Sequence, residues 1–240
     1  MFYYRAAESR GKANFGWLNS QHTFSFGNYY DADHMGISTL RVINDDMVAP
    51  GAGFGNHGHR DMEIISYILE GSIEHKDSMG NHFTVPAGEV QRMSAGTGIM
   101  HSEFNASKTE PLKFLQIWIT PNVTGIKPSY EQMPIKQSST MTPLVTPDGR
   151  DGSLSIHQDA SIYRLKLTAG ESYDLEALAK DENERVGYLH VIEGSSVEEG
   201  SVNTQSELKP GDGLGIIKDQ LSITAGNDGL VALWFDLPSK

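Results

Sequence analysis

Cysteine is absent from the chain, which excludes disulfide bonds, thiolate metal sites and cysteine nucleophiles. Long apolar runs are also lacking, since no stretch reaches the roughly 20 residues that a membrane-spanning helix needs. The first residues contain neither the apolar core nor the small-residue cleavage pattern of a secretion signal. We therefore expect a cytoplasmic protein that has no membrane partner.

Basic residues are scarce: 19 Lys and Arg stand against 31 Asp and Glu, which gives a net charge of −12. Residues 1–140 hold 11 basic and 14 acidic side chains, so most of the acidic excess lies in residues 141–240. An acidic surface repels phosphate backbones, so we expect no direct binding to nucleic acid. A solvated acidic face that favours solubility accounts for the charge.

Short apolar runs separated by turn residues recur along the chain, which contains 25 glycines. Many short, regularly spaced strands are typical of an all-β sandwich or barrel. The runs that we interpret as strands are 36–43, 63–69, 114–119, 163–167, 188–192 and 230–235. A short helix is predicted over residues 173–180. The polar stretch 121–151, which contains several prolines, is predicted to link two halves.

The two halves share short matches in the same order. The segment ILEGS at 68–72 is matched 123 residues later by VIEGS at 191–195. The segment PAGE at 86–89 is followed, at an offset of 124, by PGDG at 210–213. Each half then ends in an apolar strand that contains a tryptophan, Trp118 or Trp234. Three ordered matches indicate two copies of one β unit.

Seven of the nine histidines lie in the first 101 residues, and two pairs of residues there have the spacing of metal ligands. His57 and His59 are two residues apart, as are His101 and Glu103. Side chains two apart on a strand point to the same face, so each pair can converge on one point. Three imidazoles and one carboxylate suit Fe, Mn, Ni, Cu or Zn. A His-X-His pattern alone is often incidental, so the surrounding sequence has to support this interpretation.

The segment between the two pairs follows the two motifs of a cupin barrel. Gly71 marks a turn, about 15 residues separate it from Pro86, and Gly88 closes the second motif. We therefore predict an all-β fold of two tandem cupin (jelly-roll) barrels. The predicted domains are a metal-binding cupin over residues 1–135 and a degenerate cupin without a metal site over residues 136–240.

The second half lacks the ligand residues of the first. Shifting His57 and His59 by 123 residues leads to Lys180 and Glu182. The remaining histidines, His157 and His190, are 33 residues apart and are expected to be ordinary polar or core residues.

Several segments of the first half resemble the pirin family, densely over residues 10–121 and diffusely after about residue 140. They are 22–31, 40–44, 57–63, 69–71, 75–81, 86–93 and 95–103. Most cupins have a ligand histidine where this chain has Gln91. Pirins move that role to a later His-Ser-Glu, which His101 and Glu103 match. Glu63 is one residue short of the usual carboxylate position, so we expect it to orient a ligand or to be an edge charge.

The resemblance is strongest to bacterial pirins with quercetin 2,3-dioxygenase activity, and it implies a metal-dependent dioxygenase. Such an enzyme opens the heterocyclic ring of a flavonol such as quercetin with O₂ and releases carbon monoxide. The resemblance also implies one divalent metal on His57, His59, His101 and Glu103, with iron expected and Mn, Ni, Cu and Zn as alternatives. Glu103 would in addition be the general base, unless it serves only as a ligand. We expect a monomer.

Two other classes of function stay open at this point. Pirins of eukaryotes imply a metal-dependent module that binds transcription regulators, and cupins also include isomerases of small metabolites, because a fold does not determine its function. Phe24, Phe26, Phe54 and Met93 are candidates for packing on a flat polyphenol, but they are equally well explained as plain core.

Overall fold

The computed structural model describes residues 2–177, 184–199, 207–217 and 219–239, and nearly all of its regular structure is β-strand. The strands that begin before residue 135 are β1 (Phe2–Arg5), β2 (Gly11–Asn14), β3 (Leu18–His22), β4 (Leu40–Val48), β5 (Gly53–His59), β6 (Glu63–Glu70), β7 (Ser72–Asp77), β8 (His82–Pro86), β9 (Glu89–Ser94), β10 (Ile99–Asn105), β11 (Leu112–Ile119) and β12 (Ser129–Pro134). Those that follow are β13 (Met141–Thr146), β14 (Leu154–Ser155), β15 (Ser161–Leu167), β16 (Ser172–Glu176), β17 (Arg185–Glu199), β18 (Gly213–Ile217) and β19 (Gln220–Pro238). Short 3₁₀ turns lie at Ala7–Ser9 and Arg150–Gly152. The predicted all-β class is confirmed.

The first half consists of two antiparallel sheets that face each other. The larger has seven strands in the order β12-β9-β6-β11-β4-β3-β2, and the smaller has four in the order β5-β10-β7-β8. Side chains alternate between the two faces of each strand. In β6 and β11, Ser66 and Gln116 therefore point toward the smaller sheet. Their neighbours Ile65, Tyr67 and Leu115 belong to a core cluster shared with the second half.

The second half is one eight-stranded sheet, in the order β1-β18-β17-β19-β15-β13-β14 with β16 paired to β19. Its edge strand β1 comes from the start of the chain, since Phe2 pairs with Ile216 of β18. The shared core cluster joins the halves, with Leu144, Tyr188 and Phe235 contributed from this side. The large sheet of the first half is thus covered on one face by the second half, and its other face is left for a site.

The internal repeat corresponds to turns with the same backbone conformation. Gly71 and Gly194 have φ values of 76° and 72°, and Gly88 and Gly211 have φ values of 82° and 88°. L-residues with a side chain rarely adopt this conformation. A Cβ on Gly71 would also lie 2.8 Å from the carbonyl oxygen of Pro111. The matched glycines of the sequence repeat are therefore required by the geometry of equivalent turns.

Three local predictions were wrong in part. Residues predicted to be helical begin inside β16, where Tyr173 and Leu175 are more buried than Asp174 and Glu176, an alternation of period two that suits a strand. The remainder of the predicted helix after residue 177 lies outside the described residues. The predicted linker contains two strands, of which β12 belongs to the seven-stranded sheet and β13 to the eight-stranded sheet. The strand predicted from residue 36 begins at Leu40.

No helix in the described ranges combines the length and the apolar character that crossing a membrane requires.

Candidate metal centre

Three of the four predicted ligands lie together on neighbouring strands of the smaller sheet. His57 of β5 is directly opposite His101 of β10, and His59 follows two residues later on the same strand. Their ring centroids are 4.5 to 4.9 Å apart. One ligand nitrogen from each ring lies within 4.8 Å of the others. The two-residue spacing places His57 and His59 on one face, and the pairing of β5 with β10 adds the ring of His101.

The orientation of the rings fits a metal ion. The Nδ1 of His57 donates a hydrogen bond to the carbonyl oxygen of Gly55 at 2.7 Å, so its Nε2 carries the free lone pair. That Nε2 lies 3.1 Å from Nε2 of His101. Two nitrogens bound at right angles to one metal at about 2.1 Å are themselves about 3 Å apart. The register between β5 and β10 shifts between His101 and Glu103.

Burial keeps two of these rings in the form that binds metal. Burial, followed by the proximity of His101 and His57, lowers the pKa of His59 to about 4. Burial, followed by the proximity of His57 and His75, lowers the pKa of His101 to about 3. Both rings are therefore neutral at neutral pH and have lone pairs available without prior loss of a proton.

Glu103, the fourth predicted ligand, lies within 4.8 Å of His101 but does not belong to the group that His101 forms with His57 and His59 among the described residues. Its carboxylate is held by donors from the opposite sheet. Gln91 Nε2 donates to its Oε1 at 2.7 Å, and Gln116 Nε2 donates to its Oε2 at 2.8 Å. Ser66 Oγ donates to Oε1 at 3.3 Å. A carboxylate has about four acceptor positions, so three donors leave about one for a metal or a proton.

A fifth residue, His75 of β7, belongs to the same region and was not predicted. One ligand atom each of His75, His101 and Glu103 lie within 4.8 Å of one another, and all three side chains are buried. The Nε2 of His75 is 3.2 Å from Oδ2 of Asp77, two residues along the strand. The pattern His-X-Asp resembles the spacing of the other two pairs, and this was the available signal in the sequence.

Gln91 contacts Glu103 at the candidate metal centre, whereas Glu63 contacts His157 of the second half. Gln91 stands where most cupins have a ligand, and here it binds Glu103 and accepts a hydrogen bond from the Tyr130 hydroxyl at 2.8 Å. Glu63 lies away from the histidines, where it accepts a hydrogen bond from Ser94 at 2.8 Å and is 3.3 Å from Nδ1 of His157. Burial raises the pKa of Glu63. Its contacts connect the two halves of the protein.

A cavity of about 560 Å³ opens beside the histidines, within the range of about 300–1,000 Å³ that is usual for ligand sites. His57, His59 and Glu103 line one end of it. Of the four proposed packing residues, Phe26 and Phe54 line the cavity, whereas Phe24 and Met93 are buried in core clusters. The cavity is large enough for a planar molecule of three rings.

The second half contributes neither of its histidines to this cluster. His157 contacts Glu63, and His190 is fully buried, where burial and then the charge of Arg10 lower its pKa to about 3. We expect His157→Ala and His190→Ala to retain the metal content of the unaltered protein, measured by elemental analysis of the folded fraction. Loss of metal from either variant would contradict a purely structural role for the second half.

Two known protein families match most of the chain. The family model described as Pirin matches residues 4–119, and the one described as Quercetinase C-terminal cupin domain matches residues 143–237. Together they confirm the predicted pair of tandem cupin barrels. The predicted domain boundary at residues 135 and 136 lies in the unmatched interval and stays a prediction. A curated relative, quercetin 2,3-dioxygenase of Escherichia coli (strain K12), is 50% identical over 239 residues, which is 99% of each chain.

Solved structures agree with this relationship. One is the crystal structure of the bacterial pirin YhhW of Escherichia coli in complex with nickel(II), whose sequence is 48% identical to this chain. The two structures align with a TM-score of 0.92 over 100% of both chains. A quercetin 2,3-dioxygenase of Acinetobacter baumannii is 19% identical, with a TM-score of 0.71 over 99% of this chain and 86% of its own. At that identity the second likeness supports the fold alone.

Proposed function

Because this chain belongs to the pirin family, we propose that it is a metal-dependent dioxygenase that opens the heterocyclic ring of a flavonol such as quercetin. The observation that supports this proposal best is the convergence of three imidazoles at the end of an aromatic-lined cavity. Its relatives named quercetin 2,3-dioxygenase, at 50% identity over 99% of the chain, supply the reaction class.

The donor set suits one divalent transition metal held by His57, His59, His101 and Glu103. The 3.1 Å separation of two Nε2 atoms and the neutral form of the buried rings fit such an ion. When bound, such a metal would supply Lewis acidity and, for every candidate except Zn, one-electron redox chemistry. Iron is the metal that we propose, with Mn, Ni, Cu and Zn as alternatives that metal analysis would distinguish.

The overall reaction balances without a further oxidant or reductant. The flavonol and one O₂ give an ester of two aromatic acids and one carbon monoxide. The two bonds that join the hydroxyl-bearing carbon to its ring neighbours break, and that carbon leaves with its oxygen as carbon monoxide. Both atoms of O₂ remain in the ester, one on each of the flanking carbons. The substrate carbons are oxidised and O₂ is reduced.

We propose that Glu103 takes the proton of the flavonol hydroxyl, a role that competes with metal ligation for its remaining acceptor position. Gln91 and Gln116 fix both of its oxygens, so the carboxylate is already oriented before the substrate arrives. Removing that proton makes the hydroxyl-bearing ring electron-rich enough to react with O₂. Trp118 and Phe26 pack edge to face at 5.4 Å along the cavity and present apolar surface to a bound aromatic ring.

Oxygen uptake and carbon monoxide release on addition of quercetin test the proposal. Protein loaded separately with Fe, Mn, Ni, Cu or Zn should consume one O₂ and release one carbon monoxide per flavonol with at least one of the redox-active metals. The metal-free protein is the control. Loss of quercetin without oxygen uptake, or no turnover with any metal, would contradict the proposed dioxygenase activity.

A further inference from the structure

The cavity has a second polar region on strands β3 and β4, away from the histidine cluster. Ser20 is directly opposite Asp46, and His22 is directly opposite Asn44. All four side chains line the cavity, and each residue is at most 5% exposed. Buried polar groups cost free energy unless they have partners, so four of them in one cavity wall indicate a recognition element.

These residues are only partly satisfied by one another. The Nδ1 of His22 donates to Oδ1 of Asn44 at 2.8 Å and lies 3.3 Å from the Ser20 hydroxyl, so Nε2 of the ring is an acceptor. Oδ1 of Asp46 is buried and has no hydrogen-bond partner within the described residues. Acceptor capacity that nothing else in this region uses is therefore available at the cavity wall.

The four residues belong to the same interior face as the groups that hold Glu103. Asn44 is directly opposite Gln116 across β4 and β11, and Gln116 donates to Glu103. Aromatic rings make a second connection along the wall: His59 to Trp118, Trp118 to Phe26 and Phe26 to His22 are spaced by 5.0, 5.4 and 5.4 Å. A planar molecule that reaches the histidines at one end is thus directed toward His22 at the other.

The charge of this region favours neutral donors. Burial lowers the pKa of His22, so the ring is uncharged at neutral pH. Burial, together with the nearby Asp45 and Glu103 carboxylates, raises the pKa of Asp46 to about 7 against the hydrogen bond of Ser20. None of the four residues is a cation, whereas Lys12 also lines the cavity and Arg10 is close enough to act on His22. Phenolic hydroxyl groups, which donate a proton to a carboxylate, imidazole or amide oxygen, match the acceptors that are present.

We propose that Ser20, His22, Asn44 and Asp46 form a second recognition site, which binds phenolic hydroxyl groups on the ring of the substrate remote from the metal centre. This inference rests on the proposed function for the identity of the substrate. It makes these residues determinants of specificity, and the chemistry stays at the histidines. The protein would accordingly prefer flavonols that are hydroxylated on the remote ring to those that are not.

The test compares quercetin with galangin, a flavonol that has no hydroxyl groups on the ring remote from the metal centre. Affinity for the metal-free protein is measured at pH 8 by quenching of tryptophan fluorescence, since Trp118 lines the cavity. We expect the unaltered protein to bind quercetin at least about tenfold more tightly than galangin, because a hydrogen bond to a charged group contributes that much. Asp46→Asn, which removes one acceptor, should reduce the preference by about 3- to 10-fold and change galangin affinity by less than about twofold.

Asp45→Asn is the matched control, since Asp45 is the next residue on β4 and faces Arg10 on the other side of the sheet. It should keep the preference. Ser20→Ala serves as a second variant if Asp46→Asn fails to fold. In turnover assays the loss should appear in KM for quercetin with kcat and metal content unchanged. An equal affinity for both flavonols, or an unaltered preference in Asp46→Asn, would overturn the inference.

The outcomes separate this inference from the proposed function. A preference for quercetin that depends on Asp46, without any turnover in the metal-loaded protein, would support the recognition site and contradict the dioxygenase. Turnover of both flavonols with equal KM values would support the dioxygenase and contradict the recognition site.

Discussion

His57→Ala and His59→Ala should each lower metal affinity by at least about 100-fold, and with it any metal-dependent turnover. Each variant leaves two imidazoles and one carboxylate, and the loss of one ligand from a preformed site removes several kcal/mol, where about 1.4 kcal/mol is tenfold in affinity. His57 is also the ring whose Nδ1 is fixed by Gly55, so its Nε2 is oriented before the metal binds. Titration of the metal-free proteins with Ni²⁺ or Fe²⁺, followed by calorimetry, gives the affinities.

His82→Ala is the matched control for these variants. His82 lies on β8 of the same sheet, is exposed, and is paired with Glu74 at 2.7 Å. Its removal should leave one metal per chain. Two metals per chain in the unaltered protein, or full occupancy after both His57→Ala and His59→Ala, would contradict the assignment of this cluster.

Sequence patterns of short range predicted which histidines the structure brings together. His57 and His59 share a face because they are two residues apart on one strand, and this geometry needs no knowledge of the partner strands. His101 could be added because its His-Ser-Glu segment resembles that of pirins, and the structure shows that it lies directly opposite His57. The glycines of the repeat were equally informative, since Gly71 and Gly194 have nearly the same φ.

Contacts that depend on the pairing of distant strands could not be predicted in the same way. Gln116, Ser66 and Gln91 come from β11, β6 and β9, and they reach Glu103 only because these strands are neighbours in one sheet. Asp46 shares its face with Asn44 through the alternation of β4, but nothing in its local sequence shows that this face lines a cavity. The wrong helix has a related cause, because the alternation at residues 172–176 is short and pairing with β19 determines it.

Glu103→Gln should decrease flavonol turnover by about 10²- to 10⁴-fold while most of the metal stays bound to the three histidines, if Glu103 is the general base. Glutamine keeps the size and one oxygen but loses the charge and the basicity. Its new NH₂ group would face a donor, Gln91 Nε2 or Gln116 Nε2, so the variant should also lose about 1–3 kcal/mol of stability. Turnover is therefore measured per folded, metal-loaded protein. Glu74→Gln, a carboxylate of β7 in the same sheet, is the control and should keep the full rate.

Raising the pH distinguishes a lost base from a lost ligand in Glu103→Gln. A flavonol that arrives already deprotonated no longer needs the base, so the rate should rise with pH in the variant more steeply than in the unaltered protein. If Glu103 serves only as a ligand, metal occupancy and rate should fall together, and neither higher pH nor an added base should restore them. Full metal together with full rate would refute both roles. The three donors on Glu103 would then serve only to stabilise a buried carboxylate, and His75, which has a ligand atom within 4.8 Å of it, would become the next candidate for the proton.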